Sequence, residues 1–252
     1  MNNKILSGSS IKIIAIISMV IDHLGQIVLK NGIMLNAPYS AFSDAQFENL
    51  STLVELCHVV GRIAFPLFCF LLVEGFLHTH NMKKYILQLA VFAIISEPIY
   101  DIANTGKLFS VTQQNVLFTL FLGVVTLILI KKCKENIPST IVITAISCLL
   151  SYILKLDGWY YGILLMVVIY IFHDKNIIKY SLAALIMFLC GLDFSIKAVL
   201  DPYLIVAVVS LAIASFYNGE RGIKLKYIFY VFYPLHLLFF YILARFVIVP
   251  MF

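Results

Sequence analysis

Residues 11–29 read IKIIAIISMVIDHLGQIVL, an apolar run whose ionisable residues are Lys12 at its start and the pair Asp22-His23 beyond its middle. As a helix this segment is about 28 Å long, close to the ~30 Å of a bilayer's hydrocarbon core. It is one of many. The chain has 252 residues, 62% hydrophobic and only 12% charged, with a mean hydropathy of +0.99. A soluble domain is about 45–50% apolar and ~25% charged, so a soluble enzyme, a disordered chain and a secreted disulfide scaffold are excluded. The medium for most of this chain is lipid.

Nine runs approach spanning length: Ile11–Leu29, Leu56–Leu77, Tyr85–Ala103, Asn115–Ile130, Ile137–Leu154, Tyr160–Phe172, Ile178–Leu192, Ala198–Tyr217 and Tyr227–Val249. The sixth and seventh are short enough to be tilted or broken helices. No internal repeat and no domain linker is visible, so the expectation is one all-α integral membrane bundle over residues 1–252. The polar stretch Lys30–Glu55 reads as a loop with a short surface helix. In the first run Ile13–Ile21 has the length of a signal-peptide core. However, Asp22-His23 follows it directly, no A-x-A cleavage site appears, and apolar residues resume to Leu29, so it reads as a retained helix.

Basic residues give the orientation. With the N-terminus inside, Lys4, Lys12, Lys83, Lys84, Lys131, Lys132, Lys134, Lys175, Lys179, Arg221, Lys224 and Lys226 lie on the cytoplasmic side, and only Lys30, Lys107, Lys155 and Lys197 lie opposite. That alternation is the positive-inside signature. It predicts a multi-pass protein of the cytoplasmic membrane with its C-terminus outside. The net charge of +5 is therefore topological and not a nucleic-acid footprint, because no basic stripe interleaves with aromatics. Cys57, Cys69, Cys133, Cys148 and Cys190 form no C-x-x-C pair and read as spectator thiols, with no disulfide framework and no metal site expected.

An ionisable side chain in lipid costs at least ~2.5–3.5 kcal/mol on insertion scales and so marks a functional candidate. The first span carries Asp22 and His23, the second Arg62 and Glu74, the third Glu97 and Asp101, and the last His236 and Arg245. Lys12 and His23 are eleven residues apart, which is three helical turns plus ~20°, so both share one face about 16 Å apart. A cation at the membrane boundary with a histidine below it suits an anionic donor whose reactive end reaches inward. Histidine, with an ordinary pKa of ~6.5, suits general base work. The plainer alternative is that Lys12 snorkels to headgroups and His23 bonds a neighbouring helix.

Asp22 is turned ~100° from His23 and is expected to pair with another span. Arg62 has the plain alternative of a salt bridge to Asp22, Glu97 or Asp101. Glu97 and Asp101 are i and i+4 on one face. Pro66, Pro98 and Pro234 break three of these helices, and broken helices at membrane depth line cavities. Together these residues predict one polar chamber. His78 and His80 are too close in sequence to share a helix face and suit polar ligands or headgroups. No nucleophile elbow, P-loop, H-E-x-x-H or EF-hand loop is present.

Four blocks, IKIIAIISMVIDHLG (11–25), GRIAFPLFCFLLVEGFLHTHNMKKYILQLAVFAIISEPIYD (61–101), QNVLFTLFLG (114–123) and NGERGIKLKYIFYVFYPLHLL (218–238), closely resemble the TraX family. The resemblance covers nearly the whole chain in order and is weakest over Lys30–Glu55 and Ile137–Ala214. The family is associated with N-terminal acetylation of F-type pilin. Through it the chain is also similar to broader membrane acyltransferases, among them heparan-alpha-glucosaminide N-acetyltransferase, which share a basic residue, ten intervening residues and a catalytic histidine in the first helix. Lys12 and His23 fit that spacing.

The resemblance implies a bacterial inner-membrane acetyltransferase that uses acetyl-CoA as donor and needs no metal. Its acceptor would be an amine or hydroxyl, on a pilin-like peptide or an envelope glycan. His23 and Asp22 would be catalytic, and Lys12, Arg62, Lys83 and Lys84 would hold the donor. Glu74, Glu97, Asp101, Asn115 and His236 would line the chamber. Two rival classes stand beside this reading. A secondary transporter also uses proline-broken helices and intramembrane carboxylates, although nine spans divide poorly into two halves. A non-catalytic assembly subunit predicts that His23 and Arg62 tolerate apolar replacement. Acyl-CoA turnover separates the enzyme from both.

Overall fold

The computed structural model describes residues 5–191, 196–223 and 226–252, without the side chains at 39, 196 and 226–228. Lys4 and Lys224, and the side chain of Lys226, lie outside the described residues. These residues form α-helices with no strand, only two isolated bridges. The helices are α1 Gly8–His23, α2 Asp44–Gly61, α3 Ala64–His78, α4 Met82–Thr105, α5 Val116–Lys132, α6 Ile137–Ile153, α7 Trp159–Ile171, α8 Asn176–Cys190, α9 Pro202–Ser215 and α10 Lys226–Ile242. The all-α membrane bundle is as the hydropathy predicts.

Their starts follow from local chemistry. Asn81, Asn115, Asn136 and Asp201 place a side-chain oxygen on the free N–H groups opening α4, α5, α6 and α9. Ser43 and Gln46 form a reciprocal capping box at α2.

Two differences from the sequence reading matter. The first helix does not stop at Leu29 but continues from α1 as a π-helix, Leu24–Met34. The stretch expected as a loop is mostly helical, because α2 begins at Asp44 and runs on into α3. Its polar residues Asp44, Gln46, Glu48 and Glu55 hid it from a hydropathy reading. The α2–α3 rod breaks at Arg62-Ile63, where the backbone closes i−3 hydrogen bonds, Arg62 to Val59 and Ile63 to Val60. Pro66 explains the place, since its missing N–H would have bonded the carbonyl of Arg62.

Gly8–Met34, Asp44–His78, Met82–Thr105 and Phe229–Met251 are long and apolar enough to cross a membrane, whereas α6, α7, α8 and α9 are shorter apolar helices. Helix α7, with 13 residues, spans only about 20 Å. α1 packs on α2 and α3, α4 on α5 and α10, and α7 on α3, α5, α6 and α8. The core between them holds Leu67, Phe70, Phe76, Val124, Leu127, Met166, Ile169 and Leu237. The thiols of Cys57 and Cys69 are buried and that of Cys133 is exposed.

Candidate active site

Where the four short helices stop, the bundle opens into a cavity of about 910 Å³. Its wall takes the last residues of α1, α6 and α8 and the first residues of α3, α5, α7 and α9, so it lies at one end of an up-and-down bundle. Asp22, His23, Arg62, Asp157, Lys197 and Asp201 are its ionisable groups, and Tyr152, Trp159, Tyr160, Tyr161, Tyr203 and Tyr233 give it an aromatic lining.

His23 closes α1 at the point where the helix turns from α to π geometry, and π segments recur at functional sites. Its Nδ1 is 2.7 Å from Nε2 of His236 on α10. His236 is buried, and its own Nδ1 meets the Phe232 carbonyl at 2.9 Å. Rings of Phe232, Tyr233 and Phe240 surround His236.

Asp22 pairs with a second span, as its helical phase predicts. Its Oδ1 is 2.8 Å from Nδ1 of His58 on α2. Glycines allow this approach. A Cβ at Gly25 would lie 2.5 Å from the Cβ of Cys57, and one at Gly61 would lie 2.4 Å from the Asp22 carboxylate. Ser18 adds a 2.6 Å bond to the carbonyl of Val60.

Arg62, in the break between α2 and α3, forms none of the salt bridges open to it, and no ion pair engages it among the described residues. Its guanidinium lies over the Tyr203 ring at 5.2 Å and remains exposed to the cavity. Asp157 enters from the loop between α6 and α7. There Gln114 holds the backbone of Lys155 and Asp157 at 2.9 and 2.8 Å, and Gln113 donates to the Asp157 carboxylate at 3.1 Å. Burial, reinforced by the Asp22 charge, pushes the Asp157 carboxyl up to about 6, against the opposing pull of Arg62. The loop exits through Gly158 at φ 90 and Trp159 at φ 48. The second is a left-handed conformation rare for a bulky residue, and it presents Trp159 to the cavity.

The remaining site residues read from the sequence fall elsewhere. Glu97, Asp101 and Asn115 do not line the cavity. Glu97 accepts from the backbone and side chain of Asn115, Asp101 accepts from the Ser110 N–H at 2.7 Å, and Asn115 caps α5. They fasten the 106–115 connection to α4. Glu97 Oε1 and Asp101 Oδ1 are buried without a hydrogen-bond partner among the described residues. Lys12, Glu74, Lys83 and Lys84 lie toward the opposite end, away from the cavity wall. There Lys12 covers the Phe229 ring at 4.6 Å, Glu74 faces His78 at 3.7 Å, and Lys83 and Lys84 are exposed. The expected single chamber is thus resolved into a cavity, a loop anchor and a basic opposite face.

Sequence reasoning overlooked His58 and Asp157. His58 is four residues before Arg62, on the same helical face, and this spacing was its available signal. Asp157, in a short loop, carried none.

Residues 7–244 match the TraX protein family. The chain is 31% identical over 249 residues to a protein described as "Probable fimbrial assembly protein FimC, serogroup H1" from Dichelobacter nodosus, an alignment covering 92% of this chain and 93% of that one. No solved structure matches. With a match that extends from the N-terminus of α1 to the π-helical end of the last span, the chain belongs to the TraX family.

Proposed function

We propose that this protein is a membrane acetyltransferase that moves an acetyl group from acetyl-CoA to an amine or hydroxyl acceptor, with a pilin-like peptide N-terminus as the first acceptor to test and an envelope glycan as the second. Family membership and the fimbrial assembly relative support a pilus-related role. The observation that carries the chemistry is His23 on the cavity wall, with Asp22 beside it and a fixed hydrogen bond behind it.

In this reading the protein resides in the bacterial inner membrane with its N-terminus in the cytoplasm. The cavity then opens outward to the acceptor. The donor approaches the cytoplasmic face, where Lys12, Lys83 and Lys84 offer charge to its phosphates. Lys12 is about 16 Å along α1 from His23. The acceptor nitrogen or oxygen attacks the thioester carbonyl carbon, the new C–N or C–O bond forms, and the C–S bond breaks. His23 takes the acceptor's proton and then returns it to the departing thiolate. Asp22, next to His23 in the chain and on the same cavity wall, stabilises the imidazolium between these events. Arg62, over the Tyr203 ring, belongs to the cavity and so to the acceptor side, where it suits a carboxylate or a polarised carbonyl.

Purified protein in detergent is tested for thiol release from acetyl-CoA, with a peptide bearing a free N-terminus and with the same peptide N-terminally blocked. Release that requires the free amine and disappears in His23→Ala is the expected result. Full activity in that variant overturns the assignment.

A further inference from the structure

The two-histidine contact behind the cavity carries a finer conclusion, which rests on the acetyltransferase reading only for its kinetic arm. We infer that His236 is a positioning residue that fixes the tautomer of His23, so that His23 presents an unprotonated Nε2 to the cavity.

A carbonyl oxygen only accepts, so the 2.9 Å contact between Phe232 O and His236 Nδ1 places a hydrogen on that nitrogen. A neutral His236 then has a bare Nε2, which can only accept. The 2.7 Å contact to His23 Nδ1 therefore requires the hydrogen to lie on His23. Neutral His23 is left with its lone pair on Nε2, which no hydrogen bond engages among the described residues. The ring geometry agrees. The centroids are 4.9 Å apart with planes 24° from parallel, and that excess over the nitrogen separation is about the size of the rings, so they meet edge to edge.

The opposite arrangement needs a charged His236 that donates to His23. His236 is 6% exposed, its hydrogen-bond partners are a carbonyl and another imidazole, and aromatic rings surround it. A charge there would be buried without a counter-ion. No ion pair reaches His236 among the described residues, and the Asp22 carboxylate pairs with His58. His236 thus remains an acceptor through the cycle. When His23 gains the acceptor's proton at Nε2, its Nδ1–H still points at His236. When Nε2 gives that proton to the leaving thiolate, the starting tautomer returns. The role matches that of the group behind a catalytic imidazole in a triad, supplied here by a neutral ring.

The test is 15N NMR of histidine-labelled full-length protein in detergent, with the His23 signals assigned by loss in His23→Gln. The expected spectrum has His23 protonated at Nδ1 and bare at Nε2. His236→Phe, which removes the acceptor, is expected to shift His23 toward the Nε2–H form and to lower kcat about 10–100-fold with KM within about threefold. His236→Gln, whose amide oxygen can accept from Nδ1, is expected to keep the tautomer and restore kcat to within about threefold. Should His236→Phe fail to fold, the wild-type and His236→Gln spectra still decide. The expected tautomer together with a fully active His23→Ala would refute the acetyltransferase role of His23 and leave the positioning intact. An Nε2–H tautomer of His23 in the wild type, or unchanged tautomer and kcat in a folded His236→Phe, overturns the inference.

Discussion

The carboxylate of Asp22 and the imidazole of His58 are 2.8 Å apart across the contact between α1 and α2, at the edge of the cavity that His23 also lines. This pair ties the first helix to the rod carrying Arg62. Both side chains are largely screened from solvent, with exposures of 31% for Asp22 and 20% for His58.

Removing His58 leaves that carboxylate short of a partner. His58→Leu is expected to cost about 1–3 kcal/mol of stability. His58→Asn, whose amide nitrogen takes the place of Nδ1, is expected to recover most of it. Thermal unfolding in detergent checks both. Equal melting temperatures for His58→Leu and wild type would contradict the pairing.

Gly61 gives the same carboxylate its room. A Cβ there would overlap Asp22 at 2.4 Å. Gly61→Ala is therefore expected to displace Asp22 and destabilise the fold by about 1–3 kcal/mol. In an Asp22→Gly background, which removes the Asp22 Cβ at 2.6 Å along with the carboxylate, the cost of the same substitution is expected to fall sharply. A double-mutant cycle by thermal melting reads this non-additivity.

The carboxyl of Asp157 is raised from an ordinary 3.8 to about 6 by burial and by the Asp22 charge. The folded protein therefore binds this proton more tightly than the unfolded chain. That contribution is fully present below pH ~3.8 and is lost as pH rises through about 6, after which it is constant. Melting temperatures of wild type and Asp157→Asn are expected to converge or cross over this window, with a relative change on the order of 2–3 kcal/mol. A pH-independent difference between the two proteins would contradict the assignment.

Arg62 is exposed to the cavity and makes a cation–π contact worth about 0.5–1 kcal/mol. Arg62→Gln is expected to change stability by no more than that, while raising the KM for a carboxylate-bearing acceptor about tenfold and leaving kcat within a factor of two. An unchanged KM would remove Arg62 from the acceptor side.

How much of this was legible depended on whether a residue's meaning was local. The Asp22-His23 pair stood out because two ionisable groups interrupt an apolar run. The partner of Asp22 was predictable as another span from helical phase, but His58 itself, inside the run Leu56–Leu77, was not, since the phase of one helix does not say which residue the facing helix presents. Pro234 flagged His236, yet its contact with His23 joins residues 213 apart in sequence. Glu97 and Asp101 share a face as expected, but they hold the backbone of Asn115 and Ser110 in a connection whose path no periodicity reveals. The cavity depends on where short helices end, and helix ends are the least periodic part of a sequence.

Acetyl transfer to a peptide N-terminus can be followed directly. The purified protein is incubated with isotopically labelled acetyl-CoA and a peptide carrying a pilin-like free N-terminus, and the peptide is examined by mass spectrometry for a labelled acetyl group on its terminal nitrogen. Wild-type protein is expected to label the peptide, with the label lost in a folded His23→Ala variant and retained in His236→Gln. Equal labelling of the peptide by wild type and His23→Ala would show that His23 does not carry the transfer.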